Sequence, residues 1–112
     1  MTMAMDYAWF SQDATMKAQV EKYHAFFANY LASNNVTQSE SAVDGSGATG
    51  GGSTALTGTL AVGALASGAS NASTYVSNLW SVAQQNGTYR YYQENLYLLS
   101  LFAVSGTYSY AF

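Results

Sequence analysis

Apolar and polar positions alternate with a helical period along three stretches of the chain, and the clearest is residues 54–85. At 100° per residue one face of a helix there reads Gly58, Ala61, Leu65, Gly68, Ala72, Val76, Leu79 and Ala83. The opposite face reads Thr59, Gly63, Ser67, Ser70, Asn71, Thr74, Ser77, Asn78, Ser81 and Gln85. That split predicts one long helix, started by Ser53 or Thr54 as N-cap and stopped by Asn86-Gly87. Its polar face is neutral: between Asp44 and Arg90 there is no Asp, Glu, Lys, Arg or His. Gly58 and Gly68 fall on the apolar stripe, where they allow a neighbouring backbone to come close. Interior glycines each cost about 0.5–1 kcal/mol of helix stability relative to Ala, so tight packing is expected to offset them. The competing expectation is a weak or broken helix with a bend near residues 67–73.

Two flanking helices follow from the same reasoning. A helix over about residues 6–33 puts Trp9, Met16, Val20, Tyr23, Phe27, Tyr30 and Leu31 on one stripe, in line with Met5 just before it. Asp13, Lys17 and Glu21 stand at i,i+4 steps on the outer side as an ion ladder. Residues 88–105 predict a third helix that stacks Tyr89, Tyr92, Leu96, Leu99 and Ala103 on one side. Tyr91, Leu98 and Phe102 widen its apolar arc, Arg90 and Glu94 pair at i,i+4, and Gly106 ends it.

Between the first two helices, residues 34–53 run into a Gly- and Ser-rich segment that reads as loop or linker. A phosphate-binding loop would need a Lys after its last Gly, and Ser53-Thr54 follows instead. The tail, residues 106–112, alternates small or polar residues with Tyr108, Tyr110 and Phe112. A membrane barrel would require many such strands of about ten residues, and the upstream period is helical. The expected fold is therefore all-α: a single domain over residues 1–112, a hairpin or bundle of about three helices around a long charge-free helix, with a Gly-rich loop and a short aromatic tail.

Composition changes the picture in one respect. Only 8% of residues are charged, against about a quarter in ordinary soluble domains. Ten tyrosines and many Ser, Thr, Asn, Gln and Gly take the place of the missing charge. Tyrosine suits interfaces because a large apolar ring carries a polar tip, and a surface poor in charge lacks the usual protection against association. With three basic residues and a net charge of −3, binding along a phosphate backbone is disfavoured. Absent Pro suits uninterrupted helices. Absent Cys leaves no disulfide framework and no catalytic thiol. Residues 1–10 do not read as a secretory signal, and no window of about 20 residues is apolar enough to span a membrane.

Candidate chemistry is sparse. His24 is the single histidine, with no nucleophile motif beside it, and it reads as structural. Asp6, Asp13, Glu21, Glu40, Asp44 and Glu94 form no metal-ligand spacing. No catalytic residue, cofactor, metal or small-molecule substrate is therefore expected. Acceptor triplets for N-glycosylation begin at Asn35, Asn71 and Asn86 and mildly favour an exterior location.

A helix of about 30 residues is about 45 Å long, which leaves long neutral faces to be covered by copies of the same chain. The expected function is a non-enzymatic, self-assembling structural subunit of an extracellular filament or pilus, at the cell surface, or of a viral capsid as its coat protein in the virion. Self-association is expected through Gly58, Ala61, Leu65, Gly68, Ala72, Val76 and Leu79, and through Tyr108, Tyr110 and Phe112. Lipid is the alternative partner, with residues 56–72 and 96–112 inserted. Small coat proteins and conjugative-type pilins have a similar general organisation, a helical hairpin rich in small residues, though no shared motif carries that likeness.

Overall fold

A computed structural model describes residues 13–34, 46, 53–88 and 90–107. Among them the chain is all-helical and compact, without strands: α1 (Ala14–Asn34), α2 (Thr54–Ala66), α3 (Ala72–Trp80) and α4 (Arg90–Val104). The Gly-rich run, the aromatic tail, Met5, Trp9, Asn35 and Tyr89 lie outside the described residues, as do the side chains of Phe27, Tyr30 and Leu31.

The expected helix over residues 54–85 is two helices. Ser67 caps α2, and Gly68 takes the left-handed conformation at φ +66°. The N–H of Ala69 reaches back to Ala64 O (3.0 Å) and that of Gly68 to Leu65 O (3.1 Å). These two bonds define a Schellman stop, which uses the open carbonyls of the last turn and redirects the chain. Gly68 is thus a terminator, not a member of an apolar stripe. The same device closes α4, where Gly106 has φ +74° and Thr107 N–H bonds Phe102 O at 3.2 Å.

Helix α3 then ends at Trp80, short of the expected stop at Asn86-Gly87. Of its residues only Leu79 is buried, and Ala83 and Gln84 are exposed. Short helices hold through tertiary packing, and beyond Trp80 little packing supports another turn. Gly87 keeps a left-handed φ of +99°, but in the irregular connection to α4. The longest dimension of the fold is 37 Å, and among the described residues there is no rod of about 45 Å.

Helix α1 begins at Ala14, not at Asp6. Asp13 is its N-cap, with Oδ1 accepting from the N–H groups of Thr15 (2.9 Å) and Met16 (3.0 Å). Of the expected ladder, Lys17 and Glu21 pair at 3.6 Å, an exposed pair of small energetic weight.

Helix α2 packs on each of the other three. Thr54, Gly58, Leu60, Ala61, Val62, Gly63 and Ala64 are all buried, so burial runs round most of its circumference instead of along one stripe. Val62 meets Val20 of α1 and Ala103 of α4, with Ala66 and Val104 packed alongside. Its N-terminus is doubly tied: Ser53 Oγ accepts from Leu56 N–H (3.3 Å), and Gln93 Oε1 of α4 accepts from Ala55 N–H (2.9 Å). Two of the four orphan donors of a helix start are thereby satisfied.

Candidate self-assembly surface

Helix α4 has two contrasting faces, and small residues decide which one turns inward. Ser100 is fully buried, its Oγ donating to Leu96 O at 2.7 Å. It lies against Gly58 so closely that a Cβ at position 58 would stand 2.9 Å from Ser100 Cβ. Leu96 and Ala103 share this side and Gln93 reaches α2 from it. A Gly–Ser contact brings the two backbones close in a way that a large ring would prevent.

The outward face consequently carries the bulk. Tyr91 is 80% exposed, Tyr92 65%, Leu98 48% and Phe102 44%, and Leu99 is also exposed. Tyr91, Leu98 and Phe102 follow one line at steps of seven and four, about 16 Å long at 1.5 Å per residue. Leu99 and Tyr92 broaden it. Asn95 lies within it, held by a bond from Nδ2 to Tyr91 O at 2.8 Å. The face bears no ionic group. Arg90 and Glu94 pair beside it at 3.8 Å, and Glu94 Oε1 is buried without a hydrogen-bond partner. Within the stack expected on one side of this helix, Leu96 and Ala103 lie toward α2, whereas Tyr92 and Leu99 are exposed, because the contact with Gly58 is made by Ser100.

The stripe expected to mediate self-association is largely used inside the chain. Gly58, Ala61 and Leu79 are buried and Ala72 and Val76 half-buried; Leu65 and Gly68 are exposed at the end of α2. The break at Gly68 prevents these positions from forming one surface. Tyr108, Tyr110 and Phe112 lie outside the described residues. Tyr91, Leu98 and Phe102 carry the outward face instead. Their signal in the sequence is the small-residue line Ser100 and Ala103, which marks the opposite side of α4 as the one that can approach a glycine.

His24 is a joint between α1 and the turn after α2. It is buried, Nε2 donates to Asn71 Oδ1 (3.3 Å), and its ring meets Tyr75 edge-on at 5.2 Å. Nδ1 is buried without a partner. Asn71 accordingly starts α3 without capping it through its side chain, whose oxygen is engaged by His24. Burial pushes the Tyr23 hydroxyl above its usual range, an effect opposed by a hydrogen bond with Thr59. Burial likewise raises Tyr75. No nucleophile stands against His24 in these contacts. Among the described residues no group of three or more His, Cys, Asp or Glu could hold a metal ion, and no helix is long and apolar enough to cross a membrane.

Comparison with protein-family models, with curated proteins and with solved structures returns no match.

Proposed function

We propose that the chain is a non-enzymatic structural subunit that assembles with copies of itself, as the building block of an extracellular filament or pilus or of a viral coat. The outward face of α4 carries this reading. Its five large side chains are exposed on one side of a helix with no ionic group among them, a contiguous apolar surface of the kind that marks an interaction site. The imbalance with the core points the same way. Among the described residues the buried hydrophobics are Val20, Leu60, Ala61, Val62, Ala64, Leu79 and Ala103, three of them alanines, while Trp80 and Leu65 join the α4 residues outside.

A second copy is the occupant that suits this face. With no charge on it there is nothing to attract a nucleic acid or a strongly charged protein. The chain's own Leu65 and Trp80 offer neutral apolar patches away from α4. A contact between unlike patches repeats head to tail and builds open filaments. The Gly-rich run and the aromatic tail are further contributors to contacts between subunits in this reading. Membrane association is the weaker reading, because interfacial helices present Lys and Arg beside their apolar face and α4 has only Arg90.

The test is sedimentation and negative-stain microscopy of the full chain beside the double substitution Leu98→Asp/Phe102→Asp. The native chain is expected to form large polymers and the variant to stay dispersed with unchanged helix content. A native chain that remains monomeric at high concentration overturns the proposal. Flotation with neutral lipid vesicles of a chain that does not polymerise would transfer the α4 face to the lipid reading.

A further inference from the structure

We propose that Asn86-Gly87 is a site of spontaneous covalent modification, at which the chain converts its own asparagine to aspartate or isoaspartate. The backbone nitrogen of Gly87 loses its proton to hydroxide and attacks the side-chain carbonyl carbon of Asn86. A carbon–nitrogen bond forms, the bond from that carbon to Nδ2 breaks, and the side-chain nitrogen leaves as ammonia after taking a proton from water. Water then opens the five-membered imide at either carbonyl. One opening restores the original peptide link with an aspartyl side chain. The other routes the main chain through the β-carbon as isoaspartate. Only water and hydroxide are consumed.

Four asparagines have described side chains, and their surroundings differ. Asn71 is engaged by His24 through Oδ1 and is followed by Ala72, the first residue of α3. Asn78 lies within α3 before the fully buried Leu79. Asn95 lies within α4, with Nδ2 bonded to Tyr91 O. In a helix the following N–H points along the axis to a carbonyl, and the stiff backbone keeps it from turning onto the side chain. Asn86 is exposed in the irregular connection of residues 82–88. Among the described residues no hydrogen bond holds its side chain or the N–H of Gly87. Among the described residues, apart from Gly87 and its two chain neighbours, no atom lies within 4 Å of the place a Cβ would occupy at position 87, and glycine adds no side chain to obstruct the attacking nitrogen.

The location gives the reaction its consequence. Position 86 falls inside the run from Gly45 to Tyr89 that contains no ionic group. A carboxylate there is ionised at neutral pH, since an unperturbed aspartate titrates near about 3.9, and it adds one negative charge to a formal −3. The isoaspartyl product also lengthens the backbone between α3 and α4.

The experiment is incubation of the folded full-length chain in mildly alkaline buffer, followed by peptide mass spectrometry and enzymatic isoaspartate labelling. Position 86 is expected to convert ahead of Asn71, Asn78 and Asn95, and faster as pH rises. Gly87→Ala should slow conversion of that peptide severalfold, and Asn86→Gln should abolish its isoaspartate label. Equal or faster conversion at any of the other three positions overturns the proposal, as does a Gly87→Ala chain that converts at the native rate. Because the chemistry is read on peptides, its result is separate from whether the chain polymerises.

Discussion

Helices α2 and α3 come from the same charge-free run, yet the absence of charge has a different cause in each. Around α2 the other three helices leave almost no face to water: Thr54, Gly58, Leu60, Ala61, Val62, Gly63 and Ala64 are all buried. An ionised side chain there would be desolvated without a partner, at a cost of several kcal/mol. The single-chain fold therefore accounts for the neutrality of α2. Helix α3 anchors only Leu79 and leaves Ser73, Thr74, Ser77, Asn78 and Trp80 exposed. Among the described residues nothing covers these positions against Lys or Glu. The neutrality that packing among the described residues does not explain is thus that of α3, the connection after it and the outer side of α4.

Removing the single anchor of α3 should have the largest effect on this contrast. Leu79 is the largest fully buried side chain among the described residues. Leu79→Ala is expected to destabilise the fold by about 2–5 kcal/mol, the range for truncating a buried leucine, read as a lower urea midpoint at unchanged slope. Val76→Ala, in the same helix but half-buried, should cost clearly less. Equal losses for the two would mean that α3 is not held mainly through Leu79.

The contact of α2 with α4 should respond next. A Cβ at position 58 would stand 2.9 Å from Ser100 Cβ and 3.7 Å from Leu96 O. Gly58→Ala gains about 0.5–1 kcal/mol of helix propensity against an overpacking cost of about 1–3 kcal/mol. We expect a net loss of about 1–2 kcal/mol, the balance of those two effects. Adding Ser100→Gly vacates the contested space, so a double-mutant cycle should return a favourable coupling between the two sites. If Gly58→Ala is neutral and the cycle shows no coupling, Gly58 and Ser100 do not set the spacing of the helices.

Much of this was legible in the residues, and the misses have physical causes. The all-helical class follows from periodicity, Ser53 as a cap from its side-chain oxygen, and Gly58 as a close-approach position from its place on the stripe. The stop at Gly68 was obscured because the apolar period continues through it to Leu79. Ser67-Gly68 repeats the Ser105-Gly106 pair that ends α4, and that repetition is the local signal. Periodicity also left open which side of α4 turns inward. It ranks positions by hydrophobicity, whereas inward orientation on α4 is set by how little space Ser100 and Ala103 occupy.

Gly63 offers the smallest effect and the opposite sign. It is buried in α2 like Gly58, one and a half turns further on, and from the sequence it belongs to the polar face. Yet, its own helix backbone aside, no atom of the described residues lies within 4 Å of the place its Cβ would occupy, so none of them has to give way to a methyl group. It sits in an ordinary helix, and Ala limits the freedom of the unfolded chain more than Gly does. Gly63→Ala should therefore stabilise the fold by about 0.4–1 kcal/mol, seen as a small rise in thermal midpoint. Gly58→Ala in the same experiment should lower it. Two glycines five residues apart in one buried helix would then answer the same substitution in opposite directions, as expected if α4 is drawn against α2 at position 58 but not at 63. A loss of stability at both positions would instead place a neighbour over Gly63 as well, and α2 would be close-packed on that side too.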